Sequence, residues 1–255
     1  MRVRDGAATR AATYAASLAL GIALWEAAAS QIGPAFLPRF TATVARVVDH
    51  TLSGVLVGAL QSSMLLFFTG LFFAIVAGVA IGLVLARARL LRVAFEPYIM
   101  VLYATPMVAL IPFILSLLGF GFTAKALTVF LFAVFPILYN TIEGARSLKP
   151  EMLEVARSFR SGEWGIWRDV LIPYTLPFVM TGIRLGIGRG LVGMVAAEFF
   201  LSGSGLGLLI FRSGQDFDVP GLYGGIIVIA IVGVALMGLG RAVENRVAAW
   251  RGLER

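Results

Sequence analysis

The chain has 255 residues, of which 59% are hydrophobic and only 14% are charged, whereas soluble domains carry about a quarter charged residues. This composition excludes a disordered chain, a nucleic-acid-binding arm and most soluble enzymes. The sequence contains no cysteine and one histidine, which excludes disulfides, thiolate metal sites and a histidine metal cluster. Since a spanning helix needs about 20 apolar residues, the composition predicts an integral membrane protein with about six such helices.

Six apolar stretches, separated by charged or Pro/Gly-rich segments, predict six transmembrane helices in an all-α fold. Each stretch is too long for the short alternating strands of a membrane barrel. The whole chain, residues 1–255, is therefore expected to form a single transmembrane domain. The predicted spans cover approximately residues 11–32, 58–86, 97–118, 124–145, 170–200 and 221–240.

Basic residues are distributed unevenly between the two predicted sides of the membrane. Fifteen of the 21 lysines and arginines fall in residues 1–10, 87–96, 146–169 and 241–255. The opposite side carries Arg39, Arg46, Lys125 and Arg212. By the positive-inside rule, the four basic segments and both termini are cytoplasmic. The net charge of +7 is therefore a topology signal, and the sequence shows no basic face for a nucleic acid.

The N-terminal segment has two interpretations. Its arginines, its apolar run and Ala27–Ala29 are typical of a signal peptide, but Glu26 and the length of the run favour a retained first span. Residues 33–55 are predicted to lie outside, with an amphipathic helix over Phe40–Leu52 against the membrane. His50 falls on this helix, where an interfacial histidine is a simpler interpretation than a metal ligand.

The segment between spans four and five predicts two short amphipathic helices outside the bilayer. Pro150 and Glu151 are typical of a helix start, and Ser161–Gly162 marks a break. Two apolar stripes at helical spacing flank the break, namely Met152, Ala156 and Phe159, then Trp164, Trp167 and Leu171. Basic and acidic residues balance from Glu143 to Asp169, whereas lipid-binding helices are typically basic. An interfacial hairpin and a docking site for a protein partner both remain open.

This segment resembles the "EAA" cytoplasmic loop of bacterial ABC-importer permeases. That loop reads E-A-A, three residues, G, nine residues and I-x-L-P. Here Glu154-Val155-Ala156 and Val170-Leu171-Ile172-Pro173 occupy its two ends. Arg160 stands at the glycine position, with Gly162 two residues later. Either the bend has shifted, or Arg160 adopts a glycine-like conformation at some cost.

Two further blocks are similar to the nitrate, sulfonate and taurine branch of this family. EPYIMVLYATPMVALIPFILSLLGFG, residues 96–121, resembles the proline-punctuated third span of that branch. TGIRLGIGRGLVGMVAAEFF and SGSGLG, residues 181–200 and 202–207, resemble its fifth span and the loop that follows. The resemblance covers about residues 50–250 as a permease core, and residues 1–49 precede it with the first span and the external amphipathic segment.

The resemblance implies a multi-pass permease subunit of an ATP-driven importer in a bacterial inner membrane. Its loop over residues 146–169 is expected to carry a coupling helix that docks on an ATPase. Expected partners are two cytoplasmic ATPase subunits that bind ATP and Mg, a second permease copy or homologue, an extracytoplasmic solute-binding protein and membrane lipid. No cofactor is expected in this chain. The residues expected at or near the ATPase contact are Glu154, Ala156, Arg157, Arg160, Ser161 and Gly162.

Span five contains the ionisable residues Arg184, Arg189 and Glu198, and a charge in the bilayer is expensive enough to require a partner or a wet cavity. One interpretation is that an arginine lines the translocation pathway and attracts an anion. The other is that Arg184 snorkels to the cytoplasmic interface while the others form structural ion pairs. On an ideal helix, Arg184 and Glu198 fall within about 40° of one face, with Arg189 nearly opposite Glu198.

Prolines are predicted to interrupt two spans, at Pro106 and Pro112 in span three and at Pro136 in span four. Broken membrane helices expose carbonyl groups that can line a cavity, although a structural kink is the common alternative. Tyr103 and Met107 lie beside Pro106 and are candidate pathway residues.

The leading interpretation is a permease subunit without catalysis of its own, which forms half of a pathway for a small anion such as nitrate, a sulfonate or taurine. A vitamin precursor or an aromatic acid is the alternative solute. An ATP-independent secondary carrier is less favoured, because such carriers are usually longer and built from repeats. A membrane enzyme is least favoured, because no catalytic set of residues converges in the sequence.

Overall fold

A computed structural model describes residues 7–200 and 203–247, and this part of the chain is helical without strands, as expected for an all-α membrane protein. Parts of three predicted segments, residues 1–6, 201–202 and 248–255, lie outside the described residues. The elements in chain order are α1 (Ala7–Ile32), α2 (Phe40–Leu52), α3 (Val55–Arg87), α4 (Arg89–Ala104), a 3₁₀ turn (Met107–Leu110), α5 (Ile111–Leu118), α6 (Phe122–Arg146), α7 (Pro150–Ser158), α8 (Glu163–Phe200), α9 (Leu206–Gln215) and α10 (Val219–Val247).

Within the described residues, five helices are long and apolar enough to cross a membrane, and a bent pair of helices makes a sixth candidate. The predicted first, second, fourth and sixth spans correspond to α1, α3, α6 and α10. The predicted amphipathic helix is confirmed as α2, with the expected bounds. Helix α9 was not predicted, because its short amphipathic sequence is shorter than a span and follows a glycine-rich loop.

The predicted third span is the bent pair. Helix α4 begins eight residues earlier than expected, at Arg89, and the chain turns by 94° between α4 and the 3₁₀ turn that leads into α5. The bend falls at Thr105–Pro106, where Thr105 is extended, as residues before a proline prefer. Pro112 lies in the first turn of α5, so the expected interruption there was wrong. A proline is compatible with the first turn because that turn leaves its N–H groups unpaired.

The expected interruption of span four was also wrong, because α6 runs through Pro136 as one helix. The side-chain amide of Asn140 donates to the Pro136 carbonyl oxygen at 2.8 Å. Pro136 and most of the helix around it are buried. Neighbouring helices can hold a membrane helix together where a proline removes one hydrogen bond.

The second predicted amphipathic helix of the loop is not a separate element. Helix α8 starts at Glu163 and continues to Phe200, with a π-helical stretch over Ile166–Leu171. Ile166 and Leu171 are buried, so this stretch packs inward instead of forming an independent surface helix. The predicted break at Ser161–Gly162 is formed, since α7 ends at Ser158 and α8 starts at Glu163. A π turn accommodates one extra residue without ending a helix, so α8 continues from there into the fifth span.

The chain divides into two compact units, one of residues up to Ala59 with Leu209–Ile229, the other of Leu60–Leu208 with residues from Ala230 onward. In the first unit, the Glu26 carboxylate accepts the Thr41 backbone N–H at 3.0 Å and so caps α2. Arg46 on α2 donates to Asp218 at 2.9 Å, and this hydrogen bond raises the pKa of the Arg46 guanidinium.

Helix α6 is the centre of the second unit, with α3 and α8 packed closely against it. A Cβ atom on Gly70 of α3 would lie 2.5 Å from the Val129 side chain of α6. A Cβ atom on Gly193 of α8 would lie 2.7 Å from the Phe132 ring. Small residues allow such close approach between membrane helices. The glycines at these two positions are thus explained by packing within the chain.

Candidate functional site

Helix α7 packs with one face against the rest of the second unit. Pro150 occupies its first turn and Glu151 places a negative charge at the positive end of the helix, as predicted. Ala156 is buried. Next to α7, the buried Leu148 and Leu171 form a small apolar cluster with Ala145. Ala156 and Leu171 therefore seat the loop on the ends of the membrane helices, whereas Met152, Phe159 and Trp164 of the two predicted stripes are exposed.

The turn after α7 is closed by a residue in the left-handed conformation. Arg160 has φ +57°, while Gly162 has φ −68°. The Arg160 N–H donates to the Arg157 carbonyl at 2.8 Å, and the Ser161 N–H donates to the Ala156 carbonyl at 3.1 Å. This is the Schellman arrangement, which usually places glycine at the Arg160 position. The bend has not shifted, and the non-glycine residue costs about 1–2 kcal/mol.

The outer face of the loop forms an apolar groove of about 470 Å³. Its walls are Glu151, Met152, Val155, Ala156, Phe159, Ser161 and Val170. The Phe159 side chain is 81% exposed and Trp164 is 77% exposed. Of the six predicted docking residues, Ala156 is buried and the other five are exposed. The turn brings all six together at one end of the second unit.

Ion pairs connect this loop to the ends of the membrane helices. Arg87, the last residue of α3, pairs with Glu163, the first residue of α8. Arg146 at the end of α6 lies 3.1 Å from Glu96 of α4 and 2.9 Å from Glu143. The loop end of the second unit therefore has electrostatic contacts among α3, α4, α6 and α8.

Arg189 and Tyr103, both predicted pathway residues, lie together. The Arg189 guanidinium carbon lies 4.8 Å from the centre of the Tyr103 ring, in a cation–π contact. The Tyr103 ring stacks on Tyr139 with centroids 5.8 Å apart and planes at 4°. Met107 is buried beneath the bend, and Pro106 is exposed. The sequence analysis did not identify Tyr139, because only the folded structure brings this residue of α6 next to Tyr103.

Arg184 and Glu198 do not share a partner, although helical spacing placed them on one face. Arg184 lies 3.4 Å from Glu244 of α10, and the Thr181 hydroxyl donates to the same carboxylate at 3.1 Å. Glu198 is 1% exposed and lies against Ser63 of α3 and the loop before α9. Glu244 was missed because it follows the end of the predicted sixth span.

Within residues 7–200 and 203–247, no group of three or more histidine, aspartate or glutamate side chains is arranged to hold a metal ion. The notable polar features of this part of the chain are the loop at one end of the second unit and the charges inside its membrane helices. Long apolar helices, a broken span, charges within the spans and an amphipathic loop between two spans define a multi-pass transport permease.

The chain belongs to the family of inner membrane components of binding-protein-dependent transport systems, which it matches over residues 74–249. The taurine transport system permease protein TauC of Escherichia coli is 30% identical over 239 residues, which cover 89% of this chain and 85% of TauC. The putative aliphatic sulfonates transport permease protein SsuC of Bacillus subtilis is 30% identical over 220 residues, covering 86% and 80%.

The fold is similar to that of a chain from the inward-facing MetNI methionine ABC transporter. The TM-score is 0.66 with 18% sequence identity, and the match covers 78% of this chain and 98% of the other. At this identity the similarity establishes the fold, which agrees with the predicted permease architecture.

Proposed function

We propose that this permease forms half of the translocation pathway of an ATP-driven importer for a small organic anion, by alternating access. Two cytoplasmic ATPase subunits supply the energy, a second permease copy or homologue completes the pathway, and an extracytoplasmic solute-binding protein delivers the solute. ATP and Mg bind to the ATPases. The observation that carries this proposal is the exposed apolar groove beside the left-handed turn at Arg160.

The groove has the properties of a docking surface for a folded protein. Phe159 and Trp164 expose large aromatic side chains, which are the residue types that dominate protein interfaces. Glu154 and Arg157 add exposed charges of opposite sign on the same short helix. The balanced charge fits a protein partner better than an anionic lipid surface. Glu154, Ala156, Arg157, Arg160, Ser161 and Gly162 form the proposed contact region.

The charge distribution supports a cytoplasmic location for this groove. The segments that end α3, begin α4 and connect α6 to α8 hold eight of the 17 lysines and arginines of the described residues, whereas the opposite side carries four. The positive-inside rule supports a cytoplasmic location for these segments and, with them, for both termini. An ATPase that uses cytoplasmic ATP therefore meets the loop at residues 146–169.

Charge reversal tests the docking. Glu154→Lys with Arg157→Glu is expected to abolish copurification of the ATPase subunits and vanadate-sensitive uptake. Arg89→Glu is the matched control, because Arg89 is an exposed basic residue on the same predicted side but outside the loop. Unchanged copurification in the double variant contradicts the docking. Uptake that persists without the ATPases supports an ATP-independent carrier instead.

Arg189 supports an anionic solute. Its guanidinium lies over Tyr103, next to the bend at Pro106, and the residue is exposed. A guanidinium suits sulfonate and carboxylate groups because its N–H groups match two oxygen acceptors. The relatives that carry taurine and sulfonates in their names indicate anions of this class. Tyr103, Pro106 and Arg189 are the proposed wall of the pathway near the bend, and Met107 is buried behind it.

Uptake of radiolabelled taurine and ethanesulfonate, measured with the cognate ATPases and solute-binding protein, tests the solute class. Arg189→Gln is expected to reduce uptake strongly, whereas Arg189→Lys retains part of it because it keeps the positive charge. Arg184 is the comparison residue, because its side chain already pairs with Glu244. Arg189→Gln with full uptake, or uptake of neutral solutes in preference to these anions, contradicts the proposal.

A further inference from the structure

Glu198 is a buried carboxylate at the end of α8 opposite the α7 loop. Its Oε1 atom accepts a hydrogen bond from the Ser63 hydroxyl of α3 at 2.6 Å. Its Oε2 atom accepts the Gly207 backbone N–H at 2.7 Å. The Ser63 oxygen in turn accepts the Leu206 backbone N–H at 2.8 Å. Three separate parts of the second unit therefore meet at this one side chain.

The two backbone donors are the first two N–H groups of α9. These groups have no partner within the helix, and a carboxylate or hydroxyl that accepts them caps the helix. Glu198 also places a negative charge at the positive end of the helix dipole. The start of α9 is therefore capped by side chains from α3 and α8 instead of by its own preceding residues.

The cap requires acceptor atoms at residue 198. Ser63 and Gly207 each donate to a different oxygen of Glu198. A glutamine oxygen can still accept the Gly207 N–H while its amide nitrogen donates to the Ser63 hydroxyl, which has acceptor capacity left, so glutamine preserves the cap. Replacement by leucine keeps the approximate size of the side chain but leaves the Gly207 N–H and the Ser63 hydroxyl without these acceptors.

The segment before α9 packs closely around the Glu198 carboxylate. Gly205 has φ +122°, and a Cβ atom at this position would collide with the Glu198 carboxylate. A Cβ atom on Gly207 would lie 2.8 Å from the Glu198 Cβ. Lys125 of α6 is only 7% exposed, and its Nζ would lie 3.0 Å from a Cβ on Gly203. The segment is thus in close contact with α6 and α8.

Helix α8 connects this cluster directly to the loop end of the molecule. It is continuous from Glu163 to Phe200. Its glycine face, formed by Gly182, Gly186, Gly190 and Gly193, packs tightly on α6. A helix held in this way moves as a rigid element. From Ile172 onward, a displacement of α8 therefore reaches Glu198 through one continuous α-helix.

We propose that Glu198 is a positioning residue that fixes residues 203–208 to α3, α6 and α8, so that this segment moves as one body with the helix that carries the docking loop. In this role Glu198 does not touch the solute. It transmits the movement of α8 to the opposite end of the permease. The proposal holds for any solute and goes beyond the proposed function.

A distance measurement between spin labels tests the rigid connection without any solute. Because the chain contains no cysteine, Arg168→Cys and Ser204→Cys give two defined labels, both at exposed positions. In the assembled transporter, the distance is expected to be narrow and unchanged between the nucleotide-free and the ATP–vanadate states. A change between these states in the otherwise unaltered chain overturns the proposal.

Glu198→Leu in the same labelled chain is expected to broaden the distance distribution. Glu143→Leu is the matched control, because Glu143 is a partly exposed carboxylate on α6 whose partner Arg146 also pairs with Glu96. The control is expected to keep the narrow distribution. A narrow distribution in Glu198→Leu as well overturns the proposal.

A transport measurement separates positioning from a merely structural role. In proteoliposomes with the cognate ATPases, Glu198→Leu is expected to lower taurine uptake per ATP hydrolysed about tenfold, since a hydrogen bond to a charged group corresponds to that factor or more. ATPase copurification and basal hydrolysis are expected to remain. An unchanged ratio with a smaller amount of assembled complex indicates a structural role and overturns the proposal. Failure of the docking proposal differs, because the unaltered chain itself would not copurify with ATPases.

Discussion

The two ends of helix α8 differ in how their residues are paired. At the loop end, the helix begins with a π-helical stretch, and the adjoining aromatic side chains of Phe159 and Trp164 are largely exposed. At the other end, Glu198 is buried and both of its oxygens accept hydrogen bonds. The Glu198 end is therefore closed, because its polar groups find partners within the chain. The loop end is open, because it presents apolar surface that a partner can cover.

This difference separates the effects of mutations. Exposed side chains gain little free energy when the isolated chain folds, so their replacement should affect association more than stability. Buried polar groups have the opposite property, because a lost partner leaves a desolvated donor or acceptor. Substitutions at the two ends should therefore be distinguishable by measuring both quantities.

The largest expected effect is at the closed end. Gly205→Ala should destabilise the folded chain by about 3 kcal/mol or more, because the new methyl group collides with the Glu198 carboxylate at a backbone conformation that favours glycine. The measurement is the monodisperse fraction after heating in detergent. Gly162→Ala is the control at the open end, where φ is −68° and a Cβ meets no atom within 4 Å. An equal loss of monodisperse protein in both variants would contradict the expected difference between the two ends of α8.

The second-largest effect is expected at the open end, on the affinity for the ATPase. Phe159→Asp should weaken ATPase binding by about 2 kcal/mol, because it removes an exposed aromatic anchor from the groove. The apparent Tm of the isolated permease should stay within the error of the measurement. Affinity measured with purified ATPase subunits, together with Tm in detergent, checks both statements. A lower Tm with unchanged affinity would show that Phe159 stabilises the permease itself.

A smaller effect, and a stabilising one, is expected at the turn after α7. Arg160→Gly should stabilise the loop by up to about 1 kcal/mol, since glycine adopts φ +57° without the steric cost that arginine carries. Hydrogen exchange of the Ser161 N–H, which closes the turn, measures this gain. Faster exchange in the variant would contradict the interpretation of strain at Arg160.

The smallest effect is expected for the ion pair of Arg87 with Glu163. Both side chains are substantially exposed, so Arg87→Gln should change the free energy of unfolding by less than about 1 kcal/mol. The double variant with Glu163→Gln should show a coupling of similar size in a double-mutant cycle. A coupling several times larger would mean that the loop end is as closed as the Glu198 end.

Hydropathy and charge predicted the class of fold and most helices, because the length of an apolar run directly determines whether it can cross a bilayer. Local chemistry also predicted the start of α7 at Pro150 and the bounds of α2. The bend at Thr105–Pro106 was anticipated, but its angle was not. The continuous α6 at Pro136 was missed, since packing on both sides maintains a helix that proline would otherwise weaken.

The candidate sites were predicted less completely. Arg189, Tyr103 and Glu198 were identified because charges and prolines in a span are conspicuous. Their neighbours, Ser63 and Tyr139, come from other helices and have no local signal in the sequence. Their contacts follow from how α3, α6 and α8 pack, which no spacing rule along one helix describes.

The π-helical stretch over Ile166–Leu171 has a consequence for the length of the chain between the docking loop and the glycine face of α8. A π turn holds one residue more than an α turn, so deletion of a single residue there would allow a regular helix. The two flanking parts of that helix would keep their relative direction, because a π turn and an α turn each complete one rotation. A deletion in the regular part of α8 would instead turn everything before it by about 100°. The π-helical stretch therefore takes up one residue of length without changing the direction in which the groove faces.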